Sequence, residues 1–75
     1  MIHYQLPKES KVVIKIYNTL GQEVKTLING PQAAGRRTVQ WDGTNDRGEQ
    51  VSSGIYMYRL STESFTKTLK LMLLK

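Results

Sequence analysis

The chain has 75 residues and a formal charge of +5, from eleven lysines and arginines against six acidic residues. That length allows one small domain, residues 1–75, and the 39% hydrophobic content argues against general disorder. The absence of cysteine excludes disulfides, thiolate zinc sites and cysteine nucleophiles, and a single histidine argues against a His-rich metal site or a Ser-His-Asp triad.

Two-residue alternation dominates the chain, which is the signature of strands with one buried face. Ile2, Tyr4 and Leu6 share a parity and stop at Pro7, which removes a backbone donor and suits the end of an edge strand. Val12, Ile14 and Ile16 alternate against Lys11, Val13, Lys15 and Tyr17. A turn follows at Asn18-Thr19-Leu20-Gly21. The stretch Glu23 to Ile28 is less regular, with Val24 and Leu27 three apart, and implies a bulge or a short helical turn. Asn29-Gly30-Pro31 opens a break that extends through Gly35. Val39 and Trp41 alternate against Thr38 and Gln40, and a long loop runs from Asp42 to Gly48. Ser52-Ser53-Gly54 then leads into Tyr56, Tyr58 and Leu60, which alternate against Ile55, Met57 and Arg59. At the end, Leu69, Leu71 and Leu73 alternate against Lys70, Met72 and Leu74, a register that buries the three leucines against an opposite sheet.

No segment keeps a helical period, and there is no internal repeat or low-complexity tract. Short strands with frequent turn signals predict an all-β, immunoglobulin-like sandwich of about seven short antiparallel strands. Tyr56 stands where such sandwiches carry a tyrosine corner, near the start of a late strand with a core position two residues on. The alternative is a half-buried strand aromatic.

The side chains that carry chemistry are sparse. Asp42, Thr44 and Asp46 are spaced by two, as in a calcium loop, but an EF-hand needs Gly where Arg47 stands and Glu where Ser53 stands. A long turn in which Asp42 and Asn45 bond their own backbone fits better, so no metal or other cofactor is expected. Trp41 could stack on a sugar or a base, yet its parity with Val39 marks it as a core anchor. Arg36-Arg37 reads as a short basic pair in a turn, and Lys11, Lys15 and Arg59 stand singly on solvent faces. Without a basic stripe interleaved with aromatics, the charge implies a solvated face and no nucleic-acid partner. His3 reads as an exposed edge residue. Glu9, Glu23, Glu49 and Glu63 lie at turns or strand ends, where no pair has catalytic spacing. No phosphate-cradling glycine motif is present, so an enzyme is not expected. The apolar runs are far shorter than the ~20 residues of a membrane-spanning helix. The start Met1-Ile2-His3-Tyr4-Gln5 does not read as a signal peptide, so the expectation is either a cytoplasmic chain or a piece of a longer protein.

Read in order, several strings are distinctive: Ile14-Lys15-Ile16-Tyr17-Asn18-Thr19-Leu20-Gly21-Gln22-Glu23-Val24, then Gly30-Pro31-Gln32-Ala33-Ala34-Gly35, then Trp41-Asp42-Gly43-Thr44-Asn45, then Ser53-Gly54-Ile55-Tyr56-Met57-Tyr58-Arg59-Leu60 and a Lys/Leu-rich end. The set closely resembles the type A C-terminal sorting domains of the type IX secretion system and the related FlgD Ig-like family, which takes its name from the flagellar hook-capping protein. The resemblance implies a C-terminal module of a larger exported protein, commonly a hydrolase or an adhesin. Its implied partners are the secretion machinery and a covalently linked upstream cargo, and the implied destination is the cell surface or the medium, reached through the periplasm. It places the recognised surface around Gly54 and Tyr56 and on the final strand, with Lys70 and Lys75 as charged contacts. The Pro/Asn-rich linker usual before the first strand is missing from this sequence, so the cargo and any cleavage site are not visible in it. Two alternatives stand beside sorting: a FlgD-like structural or assembly module, and a spacer or carbohydrate-binding module of an extracellular hydrolase.

Overall fold

The computed structural model describes residues 2–74. Six strands follow in chain order: β1 (Ile2–Leu6), β2 (Ser10–Tyr17), β3 (Glu23–Gln32), β4 (Gly35–Val39), β5 (Gly54–Ser61) and β6 (Thr66–Leu73). No helix occurs among the described residues. Four strands form one antiparallel sheet in the order β3-β2-β5-β6, and β1 pairs with β4 in a second. The result is the expected all-β sandwich, with six strands among the described residues.

The core lies where the alternation puts it. Val12, Ile14 and Ile16 of β2 have no exposed surface, and Ile2, Tyr4 and Leu6 of β1 are buried against them with Tyr56, Leu60 and Trp41. Their burial supplies the main stabilising contribution, since a well-buried aliphatic side chain contributes roughly 1.5–3 kcal/mol.

Two segments depart from the expectations of the sequence, and in a third the bulge rather than the helical turn is found. The irregular stretch after Glu23 contains two register shifts and no helical turn. Ile14 faces Ile28 while Lys15 faces Thr26, so Leu27 is extra; Ile16 faces Lys25 while Tyr17 faces Glu23, so Val24 is extra. A bulged residue is released from strict alternation. This lets Val24, Leu27 and Ile28 all pack against the core.

The expected break at Asn29-Gly30-Pro31 is instead the end of β3, with Pro31 opposite Lys11. β3 is the outer strand of its sheet, so a proline can sit there without breaking the ladder. The turn shrinks to Ala33-Ala34, and Arg36-Arg37 fall inside β4 rather than in a turn.

The end strand keeps its register but not its cover. Leu69 is 39% exposed, Leu71 and Leu73 are only half-buried, and Met72 and Leu74 are largely exposed. β6 is the outer strand of a four-stranded sheet, and the facing sheet has two strands. The cover reaches Leu71 and Leu73, which pack against the core, and runs out over the Thr66 to Leu69 end of β6.

Candidate functional site

The segment joining β4 to β5 is a tied structure. Gly54 opens β5 with φ +149°, a value that side-chain-bearing residues rarely adopt. Two residues on, the Tyr56 hydroxyl donates to the Ser52 carbonyl at 2.6 Å, which is the tyrosine corner. The Tyr56 ring meets Trp41 edge-to-face with centroids 5.0 Å apart, and the Trp41 indole N–H donates to the Thr44 carbonyl at 2.8 Å. Trp41 is therefore a core anchor, as its parity implied.

The loop after Trp41 turns its acidic oxygens inward. Asp42 Oδ1 accepts from the Thr44 amide at 3.1 Å and from the Thr44 hydroxyl at 2.6 Å. These two bonds hold the Asp42 carboxyl below the usual carboxylate range. Asn45 Oδ1 accepts from the amides of Arg47 and Glu49 at 2.9 and 3.0 Å. Both residues thus bond their own backbone. Asp46 reaches further. Its amide donates to the Val24 carbonyl and its carboxylate accepts from the Thr26 amide, both at 3.1 Å. Lys25 Nζ donates to Thr44 Oγ1 at 3.0 Å. The loop is stapled to the bulged edge of β3.

The outer face of the four-stranded sheet carries a shallow depression of about 240 Å³ lined by Val13, Lys15, Tyr17, Arg59 and Ser61. Lys15 and Arg59 stand directly opposite each other, a pairing of like charges that destabilises a sheet. Each cation is matched by a neighbour. Glu23 bonds Lys15 at 3.0 Å and raises its pKa, and Arg59 lies 5.2 Å over the Tyr17 ring. These residues do not stand singly, as the sequence reading had it.

Of the four expected recognition residues, the three that are described do not share one face. Tyr56 pairs with Leu71 on the inner face and is buried, and Gly54 pairs with Leu73 in the same register. Lys70 pairs with Met57 on the opposite face and is exposed. Lys75 lies outside the described residues. A second surface escaped the sequence reading altogether. Arg36 and Arg37, brought into β4, converge with Lys67 of β6 on His3 and Gln5 of β1. Phe65 and Leu69 line the adjoining hollow. Lys67 shares the parity of Leu69 and Leu71, so its place on the inner side of β6 could have been read from alternation.

The family model for the FlgD Ig-like domain matches residues 2–65. No curated protein matches the chain. Among solved structures, the crystal structure of FLGD from P. aeruginosa superposes with a TM-score of 0.74 at 30% sequence identity. The match covers 95% of this chain and 56% of that one, so the chain spans little more than half of that protein's length. The chain belongs to the FlgD Ig-like domain family.

Proposed function

We propose that this domain is a non-catalytic assembly module, acting through protein contacts as part of a longer polypeptide exported from the cytoplasm. The observation that carries this reading is the family match over residues 2–65, supported by the superposition on FLGD. The disposition of polar groups is consistent with it. The carboxylates of Asp42 and Asp46 and the Tyr56 hydroxyl are engaged in bonds that hold the fold. Trp41, the aromatic that would stack on a sugar, is buried. Type IX sorting, the first reading of the sequence, rests on motif order, and the matching family and structure favour the assembly alternative instead.

The test is made in the native host with the full-length protein. Excision of this domain should leave the remainder exported but absent from its assembly, as read by cross-linking on intact cells. If the truncated protein is instead retained in the periplasm, and a periplasmic reporter fused to these 75 residues is exported, the domain is a sorting signal and the assembly reading falls.

A further inference from the structure

The strand edges of this sandwich are not equally protected. Exposed edges are usually blunted by lysine, proline or bulges, because their free amides and carbonyls recruit other strands. β3 has two register shifts and Pro31, and β6 carries Lys67 and Lys70. β1, with the sequence Ile-His-Tyr-Gln-Leu, has no lysine, proline or bulge and, among the described residues, pairs only with β4. One edge of β1 is open.

Beside β1 lies a hollow of about 200 Å³, with His3 and Gln5 on one wall and Tyr58, Phe65, Lys67 and Leu69 on the other. Phe65 and Leu69 are 38% and 39% exposed there. The hollow shares His3, Gln5 and Lys67 with a wider depression of about 540 Å³ that Arg36 and Arg37 also line, Arg37 with its Nε donating to the Ala33 carbonyl at 3.2 Å. No carboxylate lines either space, and no ion pair engages these three cations among the described residues. Seven-stranded sandwiches of this kind set three strands over four. Here two strands lie over four, and the lane next to β1 faces the uncovered part of β6.

We propose that the free edge of β1 accepts an extended acidic segment of another protein as a third strand of the β1–β4 sheet. Its backbone would pair with β1, and alternate apolar side chains would cover Leu69 and Phe65. Its carboxylates would enter the wider depression, where Arg36 lies on the outward face of the β1–β4 sheet and Arg37 and Lys67 lie at the inward rim. Charge selects this occupant over a second copy, because a chain of net charge +5 would bring this cationic rim against its like. The inference deepens the assembly reading and rests on it.

The test titrates the isotope-labelled 75-residue protein with a short blocked peptide alternating valine and glutamate, and with its valine–lysine counterpart. The glutamate peptide should bind saturably, shift the β1 amides that face away from β4 and slow their hydrogen exchange. Added salt should weaken it. Lys67→Glu and Leu69→Asp should each lower its affinity by roughly tenfold or more. Both side chains are exposed, so each variant should keep its thermal transition, and either alone suffices if the other fails to fold. Equal binding of the lysine peptide, binding without protection of β1, or no binding overturns the proposal. So does slow exchange of those outward β1 amides in the free monomer, which means an edge already covered, or in a concentration-dependent dimer, which means a second copy. None of these results touches the assembly reading, which falls only by the excision experiment.

Discussion

The two outer strands of the four-stranded sheet, β3 and β6, have opposite relations to their sequences. β3 reads as irregular, yet its residues from Val24 to Ile28 are all half-buried. Its bulges turn Val24 and Leu27 toward the core, and the Trp41–Gly48 loop is bonded along its edge through Asp46 and Thr44. β6 reads as a regular strand and pairs with β5 without a register shift, yet Leu69 and Met72 remain open to solvent. Alternation reports which residues share a face. It does not report whether another layer lies above that face.

Substitutions can break or sharpen this contrast. The largest effect is expected where both sheets overlap. Ile14→Ala removes a fully buried side chain and should cost about 2–5 kcal/mol in urea unfolding. Small domains rarely hold more than ~3–5 kcal/mol, so much of the population should be unfolded without denaturant. The same truncation at Leu69 should cost less than ~1.5 kcal/mol, because the side chain is already 39% exposed. Equal costs at the two positions would remove the distinction between covered and uncovered regions.

The corner comes next. Gly54→Val places a branched residue at φ +149° and should destabilise by about 1–3 kcal/mol through backbone strain alone, since no atom lies within 4 Å of an added Cβ. Tyr56→Phe removes the bond to the Ser52 carbonyl and should cost about 1–2 kcal/mol. An unchanged denaturant midpoint in either variant would make the corner ornamental.

The smallest expected effect is a difference in acid sensitivity. The Asp42 carboxyl titrates below its ordinary value because Thr44 bonds its charged form. Its contribution is therefore complete above the unfolded carboxylate range and is lost as pH falls through the depressed folded value. Asp42→Asn should flatten the acid limb of the thermal-stability profile. Lys70→Ala, on the uncovered strand, should leave that profile unchanged. A steeper acid limb in Asp42→Asn would contradict the assignment.

Much of the fold was legible in the sequence, for particular reasons. Val12, Ile14 and Ile16 alternate with charged or half-exposed neighbours, so period alone identified the core face. The spacing of Tyr56 after Ser52 and Gly54 carried the corner, and Asp42 and Asn45 announced a self-bonded loop. The continuation of β3 through Gly30 and Pro31 was not legible, because turn residues are tolerated on an outer strand whose position in the sheet no local pattern encodes. The cationic depression was hidden for a related reason. Lys67 comes to line one space with Arg36 and Arg37 through the stacking of two sheets, which is long-range in the chain. The expected residues Gly54, Tyr56 and Lys70 are divided between two faces because the register pairs Lys70 with Met57, one residue out of step with Tyr56, and that register is not written in either strand alone.

The most direct test of the incomplete cover over β6 is side-chain accessibility in solution. A soluble paramagnetic agent should strongly broaden the NMR signals of the Leu69 methyls and the Phe65 ring, while the Ile14 and Ile16 methyls stay sharp. If the Leu69 methyls are shielded as fully as those of Ile14, a further layer covers β6, and the open lane beside β1 does not exist.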